Sequence, residues 1–415
     1  MGLNILLIHQ YFLEEDDPGG SRFNEMTRTW TELGARVTVL SGMVHANGNG
    51  KRTEYQGKWF VHKTHGAVDV WRCHVSESYN SSFRGRLWGY FSFVFSSIWA
   101  GLFKAKGKYD LVLVTSPPLF VGITGYLLSR IKRVPFVFEI RDLWPESAID
   151  TGVVTSGTII RFAYWFEAFI YRKAMLINVL TPAFRDTLIE KKKVPSEKII
   201  FIPNAADFSL SDALLRNFDS KSFRNALGFD GKFVITYVGA HGIANHLVQL
   251  LDAAELLRDT NVLFQLIGNG MQKDLLIDQV NKRNLPNVVF RDSVPKAEVF
   301  KYILASDLGT SVLKRVDTFK TIYSNKTFDY MACKRPILLC IDGVSRDLVE
   351  AAGCGVFAEP ENAIDIAAKV KSYLNDPQRL VVEGERGYHY AKANFDRAVL
   401  AEKYLHHLGK LKNVR

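Results

Sequence analysis

What most constrains this chain is a series of short, uninterrupted apolar segments, each separated from the next by a helix-length stretch. The first series is "NILLIH" (4–9), "RVTVL" (36–40), "VWRCHV" (70–75), "DLVLVT" (110–115), "PFVFEI" (135–140) and "MLINVLT" (175–181). Helix candidates fall between them, up to Leu33 and near 86–106, 119–132, 158–174 and 182–193. Strands that are apolar on both faces, alternating with helices, indicate a parallel sheet covered on each side. The pattern restarts after "IPNAADF" (202–208), with "FVITYVG" (233–239), "VLFQLIG" (262–268), "NVVF" (287–290), "DLGTSVL" (307–313) and "PILLCI" (336–341). In that half, 245–258 places Leu247, Leu250, Leu251, Ala254 and Leu257 on one stripe at a 3.6-residue period. We therefore expect two α/β sheets with a hinge near 203–208, closed by a terminal helix pair at 388–408. No internal repeat or low-complexity stretch stands out.

A length of 415 residues suits two domains, and 47% hydrophobic with 23% charged residues is an ordinary globular balance. The cysteines Cys73, Cys333, Cys340 and Cys354 form no C-x-x-C pair and no zinc-ligand spacing, so they read as packing residues in a reducing compartment. A net charge of +10 suits an anionic substrate, a nucleic acid or an anionic membrane. No motif of a nucleic-acid module accompanies it, so no nucleic-acid partner is expected. "MGLNILLIHQ" lacks the basic n-region of a secretory signal.

The stretch "YSNKTFDYMACKRP" (323–336) carries a sign problem. From Asn325 onward it reads as a helix with Ser324 or Asn325 at the N-cap, yet Lys326 falls in the first turn. The helix dipole disfavours a cation there by about 0.3–1 kcal/mol. Either the lysine bends into water, or an anion held by the free amides welcomes it. Glycine loops close several strands: "DDPGGSRF" (16–23) with Gly19, Gly20 and Arg22; "YVGAHGIAN" (237–245) with Gly239, His241 and Gly242; and "LIGNG" (266–270) with Gly268 and Asn269, followed by Arg291 at the end of the next strand. Each is an ordinary turn taken singly. Together they fit a ligand at the carboxyl edge of sheets. Asp329 lies one turn beyond Lys326; it is either a surface partner for that lysine or an acceptor for ribose hydroxyls. No G-x-G-x-x-G or P-loop is present, which removes the best motif of a nicotinamide enzyme.

"FEIRDLWPES" (138–147) gathers Glu139, Arg141, Asp142 and Glu146 at a strand end, as a structural ion pair or as an active-site cluster. "LWGYFSFVFSSIWAGLF" (87–103) runs 17 residues without a charge, between Arg84 and Arg86 on one side and Lys104, Lys106 and Lys108 on the other. A buried helix, an interfacial membrane helix and a short span all remain open for it.

With "HQYFLEEDDPGGSRFNEM", "TSPPLF", "FEIRDLWPES", "IPNAAD", "YVGAHGIAN" and "YSNKTFDYMACKRP" in view, the chain resembles the retaining glycosyltransferases of family 4 over nearly its whole length. Within that family it looks like the bacterial O-antigen and capsule group that includes N-acetyl-fucosamine transferases. The resemblance implies a GT-B fold: two facing Rossmann-like domains with parallel sheets and a cleft between them, as 1–205 for the acceptor and 206–389 for the nucleotide sugar, with a C-terminal helix (390–415) packing back on the first. It implies that Gly19, Gly20, Arg22, Gly239, His241, Gly242, Gly268, Asn269, Arg291, Ser324, Asn325 and Lys326 bind the donor, that Asp329 binds its ribose, and that Glu139, Arg141 and Asp142 are catalytic. Three departures stand out. Thr321 occupies the place of the first E-x7-E glutamate. Arg141 replaces a histidine. Ala240 and Ile243 stand where relatives carry a basic pair, which leaves more of the phosphate charge to Lys326, with help from Arg22 or Lys314.

The implied reaction is metal-independent, retaining transfer from a UDP-sugar, with no cofactor. The implied acceptor is a polyprenyl-diphosphate-linked sugar at an anionic membrane surface, the inner face of the bacterial plasma membrane, so that the enzyme is cytoplasmic and peripheral. "EEDD" (14–17) only imitates a metal-binding D-x-D. The alternatives are a nucleotide-sugar-binding protein with a degenerate site and a transferase acting on a soluble small molecule.

Overall fold

The structure is a computed structural model. It describes residues 2–412 except 15, 18, 21, 45–49, 78–82, 151 and 153, and except the side chains of 83, 84 and 86. Glu15, Ser21 and the side chains of Arg84 and Arg86, which entered the sequence reading, therefore lie outside the described residues.

The chain divides into two compact units. The first takes residues up to 14, 22–203 and 398–412; the second takes the described residues of 16–20 and all of 204–397. The sheet of the first unit contains β1 (Asn4–Ile8), β2 (Arg36–Gly42), β3 (Phe60–His65), β4 (Val68–Cys73), β5 (Leu111–Ser116), β6 (Phe136–Ile140), β7 (Leu176–Val179) and β8 (Ile199–Phe201). Their order is β3-β4-β2-β1-β5-β6-β7-β8, parallel throughout except for the antiparallel pair β3/β4. The second sheet contains β9 (Phe233–Val238), β10 (Val262–Ile267), β11 (Val288–Arg291), β12 (Leu308–Val312), β13 (Ile337–Cys340) and β14 (Gly355–Phe357), all parallel in the order β11-β10-β9-β12-β13-β14.

The central strands are apolar on both faces because both faces are covered: every residue of β5, β6, β10 and β12 is buried. The strands that escaped the sequence reading are β3, β8 and β14, all at sheet edges. The residues of β3 alternate between partly buried and exposed, and β8 and β14 have three residues each. An edge strand is covered incompletely, so it lacks the continuous apolar signature. The stripe expected at 245–258 is present, with all five named residues buried against β9 and β10, although the regular helix is shorter, Val248–Leu256. The terminal helix pair divides between the units. Helix Gln378–Asn394 stays with the second unit, where Gly384 and Gly387 allow close approach to Lys334 and Cys354. Helix Arg397–Leu411 packs on the first unit, where the Trp30 indole donates to Ala401 O (2.8 Å) and its ring meets Tyr404 edge-on. All four cysteines are buried and unpaired.

Candidate active site

In an open parallel sheet, a ligand site forms outside the carboxyl ends of the strands where the strand order reverses. The second sheet reverses between β9 and β12. Tyr330 ties the helix after β12, Asn325–Ala332, across this point. Its phenol donates to Thr310 O in β12 (3.0 Å) and accepts from the Val238 N–H in β9 (3.1 Å). Its ring fills the space a side chain at Gly309 would need; a Cβ there would lie 2.3 Å away.

The start of that helix is left open. Ser324 has the extended backbone of an N-cap, but its hydroxyl accepts from Ser311 Oγ (2.7 Å) and does not cap. Among the described residues the amides of Asn325 and Lys326 have no protein acceptor, as first-turn amides lack intrahelical ones. Lys326 leaves this turn with its ammonium 4.8 Å above the Tyr237 ring. No carboxylate lies within ion-pair distance of it among the described residues, since Asp329 reaches instead toward Lys296 (3.5 Å). Burial lowers the Lys326 pKa from 10.5 to about 8, against a smaller opposing pull from Asp329. Lys326 as a residue keeps some accessible surface, while its ammonium is surrounded by protein.

Gly239 closes the arrangement from β9. Its φ of +148° suits glycine alone, and a Cβ there would stand 3.2 Å from Lys326 Cε. A Cβ at Gly268 would lie 1.8 Å from Gly239 O, so the loops after β9 and β10 touch backbone to backbone. Free amides, an ammonium with no carboxylate partner among the described residues and a backbone open to close approach are the groups that could hold an anion.

The other second-unit candidates take different places. His241 is fully buried, with its ring between Tyr237 and Phe290 and its backbone held by Asn269 O and the Gln272 N–H. Neither ring nitrogen has a partner among the described residues, and burial, aided by the charge of Lys273, lowers its pKa to about 4. It is a neutral core imidazole rather than a loop side chain. Asn269 accepts from Lys273 (2.8 Å). Gly242 opens the short turn Ile243–Asn245, and Lys314 is exposed. Arg291 offers only its carbonyl, to the Gly268 N–H and Lys273; its guanidinium is bound to Gln265 (2.8 Å) and lies over Phe229 and Tyr302. In this arrangement the guanidinium is engaged in packing. Gly19 has φ +134°, and within the second unit a side chain at Gly20 would come 4.0 Å from Asn325 Nδ2. Thr321 donates to Thr318 O (2.6 Å).

In the first sheet the order reverses between β1 and β5. His9 stands there, its Nδ1 2.7 Å from Thr115 Oγ1 and its ring against Phe23. Burial holds its pKa well below 6.5, reinforced by Arg141, Arg22 and Arg72, so the imidazole is neutral. The sequence reading passed over His9; the available signal was a polar residue directly after the first parallel strand. Arg141 is fixed nearby through its N–H to Ser116 O (3.1 Å). Asp142 accepts from the Ser147 hydroxyl (2.8 Å), and burial pushes its carboxyl up to about 6.

Glu139 and Arg22 form a buried ion pair with each other. Glu139 is fully buried, with Oε1 accepting from Arg22 Nε (2.9 Å) and Oε2 from Asn178 (2.8 Å). Arg22 spends its other donors on the carbonyls of Ile202 and Pro203. Removing one partner of such a buried pair would leave an uncompensated charge in the interior.

Residues 19–205 match the family model of the glycosyl transferase 4-like domain, and residues 219–390 match that of glycosyl transferases group 1. Only the ends and a short connecting stretch fall outside these matches. The chain is a glycosyltransferase of the GT-B type. This glycosyltransferase is 24% identical over 372 residues to the putative colanic acid biosynthesis glycosyl transferase WcaI of Escherichia coli K12, across 85% of this chain and 86% of that protein. It is 25% identical over 262 residues to the alpha-D-kanosaminyltransferase of Streptomyces kanamyceticus, across 61% and 64%. In fold it is similar to Anabaena HepE in complex with UDP (TM-score 0.70, 18% identity, 98% of this chain and 100% of that one). It is also similar in fold to the sucrose-phosphate synthase of Thermosynechococcus elongatus (TM-score 0.73, 15% identity, 100% of both chains).

Proposed function

We propose that this glycosyltransferase moves a sugar from a UDP-sugar, with retention and without a divalent metal, onto a lipid-linked glycan in cell-surface polysaccharide assembly. The observation that carries the reading is Lys326, an unpaired, largely desolvated ammonium at an open helix start beside Gly239. A nucleotide diphosphate supplies the charge this site lacks. The amides of Asn325 and Lys326, with the ammonium, stabilise the leaving diphosphate as the anomeric bond breaks. The acceptor hydroxyl attacks the face from which the diphosphate departs, and a diphosphate oxygen takes its proton. Asp329 remains the candidate for the ribose diol, with Lys296 holding its carboxylate in place. Arg141 and Asp142, with His9, form the polar group of the first unit, which we assign to the acceptor.

Printed descriptions of relatives support the donor and the pathway class. HepE has been crystallised with UDP and with UDP-glucose, and WcaI is described by colanic acid biosynthesis. The O-antigen and capsule resemblance favours an N-acetylated hexose or deoxyhexose donor, a polyprenyl-diphosphate acceptor and work at the cytoplasmic membrane face. Replacing Lys326 with Ala and following nucleotide release from a panel of donors tests the assignment; near-normal kcat/KM with the preferred donor would remove the phosphate role. A second reading, a nucleotide-sugar binder without turnover, is favoured by Thr321, whose hydroxyl is turned onto Thr318 where a carboxylate is expected. Slow release of UDP in the absence of acceptor would argue against it.

A further inference from the structure

The first unit carries an apolar and basic face that sugar transfer does not use. Helices Phe83–Phe103, Val121–Lys132 and Gly157–Lys173 lie side by side. The first two touch through Ser97 and Thr124 (3.0 Å between hydroxyls) and where Gly101 makes room for Leu128. The second and third touch where Gly122 makes room for Ile170, and Tyr126 meets Phe169 edge-on.

Their uncovered side is rich in large apolar groups. On the first helix Trp88, Phe95, Trp99 and Phe103 are exposed, and their spacing holds them on one stripe. Phe95 is 64% exposed. The second helix adds Leu127 and Ile131, and the third adds Phe162 and Trp165. Single exposed apolar residues need no explanation, but a patch across three adjoining helices marks an interaction site.

The exposed charges on these helices and at their C-terminal ends have one sign. Lys104, Lys106 and Lys108 follow the first helix, Arg130 and Arg133 end the second, and Arg161, Arg172 and Lys173 belong to the third; all are exposed. The one carboxylate on the three helices, Glu167, is buried and paired with Lys192. No helix among the described residues is long and apolar enough to cross a membrane.

We propose that this three-helix face rests on the surface of an anionic lipid bilayer, with its aromatic rings at headgroup depth and its cations against lipid phosphates. A second copy of the chain is a poorer occupant. Two-fold pairing would set this patch against itself and bring its cations together without exposed carboxylates from these helices to answer them. The inference extends the lipid-linked acceptor reading given above, but the binding it describes is measurable without any reaction.

The test is flotation of the full chain with phosphatidylcholine vesicles containing about 30% phosphatidylglycerol, compared with pure phosphatidylcholine. The chain should float with the anionic vesicles only, less so at about 0.5 M salt, and brominated acyl chains should quench its tryptophan fluorescence. The combined variant Phe95→Ser, Trp99→Ser, Trp165→Ser should lose about tenfold in partitioning while its thermal melt is unchanged. Changing the exposed Met271 and Ile364 of the second unit to Ser should have no effect on partitioning. Failure of the wild type to float, equal flotation of the triple variant, or absence of quenching would overturn the proposal. So would a wild-type dimer that the triple variant converts to monomer, which would assign the face to a second copy. UDP release from the same panel of UDP-sugars is followed in parallel. Its absence from every one of them with flotation intact would count against the UDP-sugar reading alone.

Discussion

The depressed pKa of Lys326 makes donor binding depend on pH in a calculable way. With the free ammonium titrating at about 8, the site is mostly charged at pH 7 and mostly neutral at pH 9. A diphosphate seated on it favours the charged form and raises its pKa back toward or beyond 10.5. Binding then takes up a proton, about half a proton per site at pH 8, and affinity falls about tenfold between pH 7 and pH 9. Lys326→Met removes both effects. It also removes a charge-assisted hydrogen bond of about 1.5–3 kcal/mol, so affinity at pH 7 should fall about 10- to 150-fold. Isothermal calorimetry with UDP-glucose, in buffers of differing ionisation enthalpy, reads affinity and proton uptake together. UDP-glucose suits the measurement because its substituted diphosphate does not titrate in this range. A wild-type affinity flat from pH 7 to 9, or the same slope retained in Lys326→Met, would refute the reasoning.

The same lysine should weaken the unliganded fold. Its pKa is lower folded than unfolded, so its charge costs up to about 3 kcal/mol at pH 7, and that penalty fades as pH rises from about 8 through 10.5; Lys326→Met should raise the melting temperature at pH 7, and a lower one would contradict the burial. Breaking the buried pair with Glu139→Ala should cost about 3–5 kcal/mol in denaturant unfolding; an unchanged midpoint with activity lost would return Glu139 to a catalytic role. Asp142 has the opposite linkage: its carboxyl, raised from 3.8 to about 6, weakens the fold progressively as pH rises through that interval and fully above it. Asp142→Asn should flatten stability between pH 4 and 7, as a series of urea titrations would show. Turnover measured in EDTA should match turnover without it; a loss beyond about tenfold would require a divalent ion at the diphosphate.

The site was legible in the sequence only in part, and the residues show why. Lys326 was recognisable because its position goes against a local rule: a cation is disfavoured at a helix start unless water or an anion offsets the dipole. Gly239 and Gly268 could be singled out because a strand that ends in glycine anticipates close approach of the backbone. The pairing of Glu139 with Arg22 was not legible because charge in a sequence carries no information about burial. Their 117-residue separation closes only when the start of helix Arg22–Glu32 meets β6. His241 was read as a loop residue because the turn after β9 looks exposed until Phe290, from β11, covers its ring.

The sequence by itself determined the two-sheet architecture, since segments apolar on both faces, separated by helices, have few other ways to bury themselves. It also singled out Lys326 as a position to explain, because the helix dipole acts within a single turn. Tertiary structure alone decided the edge strands and which charges are neutralised in the interior. Each of those depends on contacts between residues far apart in the chain, where desolvation rather than local conformational preference sets the free energy.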